Sequence, residues 1–164
     1  MNKSLILLAL VTGCGASDQG NETMSANGAN ASAPVVAAAS AGLTGLYEGG
    51  STAAPSQLCV IEKGGKAQFG MVIWGANLSA CGGAGLVERD GERLRLRMTG
   101  DQACTVEARL SAGTISLEGP VPAGCAYYCG AQAGFEGARF ERKGSSVADA
   151  MRATDPAGDP LCSD

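Results

Sequence analysis

From Gly42 onward, apolar and polar residues alternate with a period of two in short runs broken by glycine pairs, the pattern of strands that bury one face. The clearest run covers residues 86–98. Asp90-Gly91 suits a two-residue hairpin whose central positions both take positive φ. Centred there, the pairing sets Val87 against Leu94, Glu88 against Arg93 and Arg89 against Glu92, one apolar and two opposite-charge pairs. Leu94, Leu96 and Met98 then share an inner face with Cys104, Val106, Ala108 and Leu110 only if the next connection has an odd number of residues. Thr99-Gly100-Asp101 meets that condition. It sets Leu96 opposite Cys104, Leu94 opposite Val106 and Arg93 opposite Glu107, so Arg93 lies between Glu88 and Glu107.

Two further hairpins are expected: Gly64-Gly65 between strands at 58–63 and 66–74, and Ala112-Gly113 between strands at 105–110 and 114–117. The second places Glu107 opposite Glu118, an unfavourable pair that Arg93 can offset. Segments 45–49, 126–129 and 137–141 bring the total to seven or eight short strands, while Cys81-Gly82-Gly83-Ala84-Gly85 reads as a loop. The expected fold is all-β, a small antiparallel barrel or two-layered sheet that covers its own edges. Near the end, Ser145 or Ser146 caps a short helix at 147–152 with Val147 and Met151 on one face. Asp155-Pro156 ends it, and Cys162 pins the tail to the domain.

The first 13 residues differ in kind. Lys3 precedes a purely apolar run at 5–11, followed by Thr12 and Gly13. That run is too short to cross a bilayer, which needs about 20 apolar residues, but fits the core of a signal peptide. Val11-Thr12-Gly13-Cys14 resembles the lipobox of bacterial lipoproteins. The resemblance implies that residues 1–13 are removed, that Cys14 becomes the mature N-terminus with a diacylglycerol on its Sγ, and that its amino group also accepts a fatty acyl chain such as palmitate. It further implies a cell-envelope location, in the outer membrane facing the periplasm; the residue after the cysteine is Gly15. Two or more chains, each buried CH₂ contributing about 0.8 kcal/mol, make such an anchor stable. Residues 15–41, rich in Ala, Ser, Gly and Asn, read as a flexible tether with an end-to-end distance of about 30 Å. Residues 42–164 form the single folded domain. The sequons at Asn21 and Asn77 read as chance matches in a bacterial chain.

Charge and cysteine content narrow the function. Of 12 Lys and Arg residues Lys3 leaves with the signal, so 11 face 16 Asp and Glu, and the chain lacks the basic patch that nucleic acid requires. With Cys14 lipidated, six cysteines remain: Cys59, Cys81, Cys104, Cys125, Cys129 and Cys162. In an exported chain they read as three structural disulfides, with about 15 possible pairings. The chain has no histidine, which removes imidazole-dependent hydrolase and metal chemistry; no metal or cofactor is expected.

Carboxylates alone could serve glycoside hydrolysis, and Glu48, Glu62, Asp90, Asp101, Glu107 and Glu118 are candidates by residue type, though most read as solvated strand or turn positions. Trp74, closing an apolar strand beside Gly75-Ala76-Asn77, and Tyr127 and Tyr128 in Cys125-Ala-Tyr-Tyr-Cys129 are candidates for a binding surface. The expected function is that of a membrane-anchored, non-catalytic binding or envelope-assembly module whose partner is an envelope protein or a glycan. Small disulfide-bonded barrels on lipobox anchors are similar in architecture to lysozyme-inhibitor modules, an alternative within the binding class; a carboxylate glycan hydrolase is the catalytic alternative. Intact mass of the protein extracted from envelopes should show a chain starting at an acylated Cys14. An unmodified Cys14, or cleavage elsewhere, would overturn the anchor.

Overall fold

The structure, a computed structural model, describes residues 42–101 and 103–163. The signal peptide, Cys14, the tether and Asn21 lie outside the described residues. The alternating runs form eight antiparallel strands: β1 Gly45–Gly50, β2 Pro55–Lys63, β3 Lys66–Trp74, β4 Ala80–Asp90, β5 Arg93–Met98, β6 Thr105–Ser111, β7 Thr114–Glu118 and β8 Arg139–Gly144. Each pairs with the next and β8 pairs with β1, closing an up-and-down barrel.

An eight-stranded barrel has an interior just wide enough for side chains to fill. Tyr47, Leu58, Val60, Phe69, Met71, Leu94, Leu96, Met98, Val106, Ile115 and Phe140 fill it, all buried. The inner row expected from the sequence, Leu94 through Leu110, is buried at every position.

Registers were predicted with the right parity but not always the right partner. The hairpin loop is Gly91-Glu92, so Asp90 faces Arg93, Glu88 faces Arg95 and Val87 faces Leu96. Gly91 has φ 61° and Glu92 is not in the positive-φ region, as in a type II′ turn. In the next pair Leu96 faces Val106 and Arg95 faces Glu107. Arg95, not Arg93, therefore lies between the two glutamates, its Nη1 3.6 Å from Glu88 and its Nε 3.3 Å from Glu107. A slip of two residues leaves every side chain on its face, so alternation alone does not select between these registers. The Gly64-Gly65 and Ala112-Gly113 hairpins are as expected, and Glu107 does face Glu118. Arg95 holds the first of these and Arg109 the second, with Nε 3.1 Å from Glu118. These are exposed pairs, screened by solvent, and each contributes little to stability.

Two segments differ from the sequence reading. Residues 81–85 belong to β4 rather than a loop: a Cβ at Gly83 would collide with Met98 and Tyr128, and one at Gly85 with the Arg97 carbonyl. Glycine here lets neighbouring chain approach the inner face. Residues 126–129 are not a strand: Ala123–Tyr128 is a 3₁₀ helix.

The cysteines pair as Cys59–Cys162, Cys81–Cys129 and Cys104–Cys125. The first holds the C-terminal tail on the outside of the barrel. There Leu46, Cys59 and Ile61 form a second apolar cluster with Ala150, Ala153 and Cys162. The tail begins with α1, Val147–Ala150, whose N-cap is Ser146 in a capping box with Asp149. Val147 packs against this cluster, whereas Met151 is exposed.

At one mouth of the barrel, Glu62 accepts the Leu43 and Thr44 amides at 2.7 and 3.2 Å, fixing the entering chain. The inward Arg142 guanidinium lies 5.0 Å from the Tyr47 ring centroid and donates to the Tyr47 hydroxyl, which itself donates to the Leu43 carbonyl at 2.7 Å. Burial raises the Tyr47 pKa, and Arg142 only partly offsets it. The unfolded chain therefore ionises first. The contribution of Tyr47 to stability is full below the ordinary tyrosine value of about 10 and is lost as pH rises through the folded-state value. Unfolding midpoints across the alkaline range should fall more steeply for the wild type than for Tyr47→Phe; equal slopes would contradict this.

Candidate binding surface

Hairpin connections alternate between the two ends of an up-and-down barrel, and here the ends are unlike. One end carries the two-residue turns 64–65, 91–92 and 112–113, and the chain enters β1 at that end. The other carries the long connections 51–54, 75–79, 99–104 and 119–138. Cys81–Cys129 and Cys104–Cys125 both brace this loop end, the first tying the C-cap of the 3₁₀ helix to the start of β4 and the second tying the helix itself to the residue before β6. The Gly130 amide donates to the Ala80 carbonyl at 2.9 Å alongside the first bridge.

The three aromatic residues singled out from the sequence all belong to this end but play different parts. Trp74, the last residue of β3, points outward and is partly buried; its amide donates to the buried Ser56 Oγ at 3.0 Å. Tyr128 packs onto the interior cluster and closes the mouth between β4 and the 99–104 loop. Tyr127 is 88% exposed and meets Tyr128 edge to face, with ring centroids 5.7 Å apart. The 3₁₀ turn gives the two tyrosines the same division, one in and one out, that an extended chain would have given.

Leu78 was missed. It is 87% exposed, and with Asn77 it adopts positive φ, 59° and 52° respectively. Asparagine tolerates this region, whereas for leucine it costs about 1–2 kcal/mol. Neighbouring chain holds the turn: Gly75 N–H donates to the Ser79 carbonyl at 2.7 Å and Ala76 N–H to the Gln132 carbonyl at 3.1 Å. Asn77 Nδ2 donates to Gln132 Oε1 at 2.7 Å and Gln132 N–H to Ser79 Oγ at 3.1 Å. The available sequence signal was an apolar residue inside a Gly-Ala-Asn turn. The four connections contain Asp101 and Glu136 and no lysine or arginine, unlike the ion-paired outer wall. A surface cavity of about 530 Å³ lies within the 119–138 connection, lined by Val121, Ala133 and Phe135 among others.

The carboxylates are mostly spent on structure. Glu62 holds the entering chain, Asp101 accepts the Ala103 amide at 2.8 Å, and Glu107 and Glu118 belong to the ion-pair ladder. Asp90 closes its hairpin opposite Arg93. Two of the candidates, Glu107 and Glu118, face each other within that ladder, and Glu48 faces a further acid, Glu141, across the β1–β8 seam in a surface cleft of about 600 Å³. Hydrogen bonding from Lys143 holds Glu141 below the usual carboxylate range, the reverse of what a proton donor needs. Among the described residues no group of three or more His, Cys, Asp or Glu side chains is placed to hold a metal ion.

Compared with protein-family models, curated proteins and solved structures, the chain matches none.

Leu78→Gly removes the side chain at a backbone conformation glycine accepts freely. Allowing for the greater freedom of glycine in the unfolded chain, it should stabilise the fold by about 0.5 kcal/mol. Thermal unfolding measures this, and a clear fall in Tm would mean that Leu78 is held by packing rather than displayed.

Proposed function

We propose that this chain is a lipid-anchored protein of the bacterial cell envelope whose barrel is a non-catalytic binding module, with the loop end as its binding surface. The observation that carries this reading is the asymmetry of the barrel. The end opposite the entering chain has long connections braced by two disulfides, and it displays Leu78 at a conformational cost together with Tyr127. Strained, exposed apolar residues held by their surroundings are characteristic of functional surfaces. The filled interior supports recognition at the rim rather than inside a calyx.

Three disulfides and a signal-like opening agree with an oxidising, exported setting. The lipobox residues 11–14 supply the anchor and 15–41 the reach, and the chain enters the barrel at the end away from Leu78 and Tyr127. The partner is then met by the end of the barrel opposite residue 42.

Photoreactive amino acids placed at 78, 127 and, on the turn end, 66 test this in intact envelopes, with Cys14→Ser as the unanchored control. Adducts should form at 78 and 127 with the anchored chain and not at 66. Adducts confined to 66, or none at any position, would overturn the assignment.

A further inference from the structure

A disulfide opens when a thiolate attacks one of its sulfurs, so access to each cysteine ranks the three bridges. Cys59, Cys81, Cys104 and Cys125 are 0% exposed and Cys162 5%. Cys129 alone is only partly buried, and it lines the surface cavity of the 119–138 connection with Ala126, Gly130 and Ala133. In Cys59–Cys162 and Cys104–Cys125 both partners are buried, whereas Cys81–Cys129 has one partner on the side of solvent.

The same bridge joins the two segments that shape the 75–79 loop. It ties the chain three residues after Leu78 to the chain three residues before Gln132. Hydrogen bonds also connect these segments: Ala76 N–H to the Gln132 carbonyl, Gln132 N–H to Ser79 Oγ, Asn77 Nδ2 to Gln132 Oε1 and Gly130 N–H to the Ala80 carbonyl. Hydrogen bonds at a rim exchange readily for water, so a leucine at φ 59° keeps its conformation only while a covalent tie fixes its neighbours. The barrel does not depend on that tie. Its ladder is closed, and Cys104–Cys125 holds the 3₁₀ helix independently. Resting on the reading of the loop end as a binding surface, we propose that Cys81–Cys129 is a redox lever, opened by a dithiol such as a Cys-x-x-Cys protein, that ends the display of Leu78. A thiolate of the dithiol attacks Cys129 Sγ, the S–S bond breaks, and Cys81 leaves as a thiolate that takes a proton. The second thiol, losing its proton, attacks the mixed disulfide; the dithiol departs as its own disulfide and Cys129 as a thiol. Two electrons and two protons have then passed from the dithiol to the bridge.

Graded treatment of the full-length protein in detergent with dithiothreitol, followed by acid quench, unfolding, alkylation and peptide mass spectrometry, tests the order of opening. Cys81 and Cys129 should be labelled at dithiol concentrations at least about tenfold below those that open the other two bridges. With only that bridge open, the amides of Ala76 and Gln132 should exchange with deuterium at least about tenfold faster, while those of β1 and β8 keep their protection. Another bridge opening first, or unchanged exchange at 76 and 132 once Cys81–Cys129 is open, would overturn the lever. In envelopes, photoreactive residues at 78 and 127 should capture at least about fivefold less partner in a Cys81→Ser, Cys129→Ser double variant, because the competent loop conformation is then a minor one. Protection of β1 and β8 in that variant separates a loosened loop from a failed fold. If capture is undiminished in the folded variant, the lever fails and the binding surface stands. If the bridge opens first and the loop loosens, but 78 and 127 capture nothing even in the oxidised protein, the binding surface fails and with it the control of display.

Discussion

Closure of the sheet through the β1–β8 pairing is the constraint on which the rest of this structure depends. It joins two strands at opposite ends of the described domain and leaves no row of unpaired amides among the described strands. It also fixes the size of the interior, so the inward positions of all eight strands must together fill one narrow volume. Gly83 and Gly85 of β4 follow from that limit: where Met98, Tyr128 and the backbone of β5 press closest, there is little room for a side chain. What the small interior cannot bury is buried outside, where the tail and α1 cover Leu46 and Ile61 and the Cys59–Cys162 bridge holds them there.

Closure with an even number of strands also separates two tasks. Turns that must be short and regular fall at one end, where they set register. Connections free to vary in length and conformation fall at the other, where two disulfides give them the rigidity that hydrogen-bonded ladders give the strands. The strained pair Asn77 and Leu78 is tolerable because its neighbours are already fixed by the Cys81–Cys129 bridge and the Gly130 to Ala80 hydrogen bond.

The amino-acid pattern carried the fold further than the site. Alternation identified the inner row from Leu94 to Leu110 because burial repeats every second residue, and it found the turns at 64–65 and 112–113 because glycine marks them. It misplaced Arg93 and Arg95 because a two-residue slip preserves every facing, and only the conformation of Gly91 and Glu92 distinguishes the registers. Glycine density suggested a loop at 81–85 where close approach of neighbouring chain was the cause, and the adjacent tyrosines of the Cys125 to Cys129 stretch divide between inside and outside in a 3₁₀ helix as they would in a strand. Tyr127 was visible as an aromatic residue in a short, cysteine-bounded segment. Leu78 was not, because its exposure arises from backbone dihedrals held by Gln132, a residue 54 positions away in the chain whose part no local pattern reveals.

The placement of chain entry and loops at opposite ends has a mechanical side. A pull between a partner held at the loop end and the chain preceding residue 42 runs lengthwise along β1, which is laddered on one side to β2 and on the other to β8. Both ladders lie across that pull, so their hydrogen bonds are loaded together in shear rather than opened one after another like a zipper. The seam that closes the barrel is thus also the part of the sheet that would carry tension between the two ends.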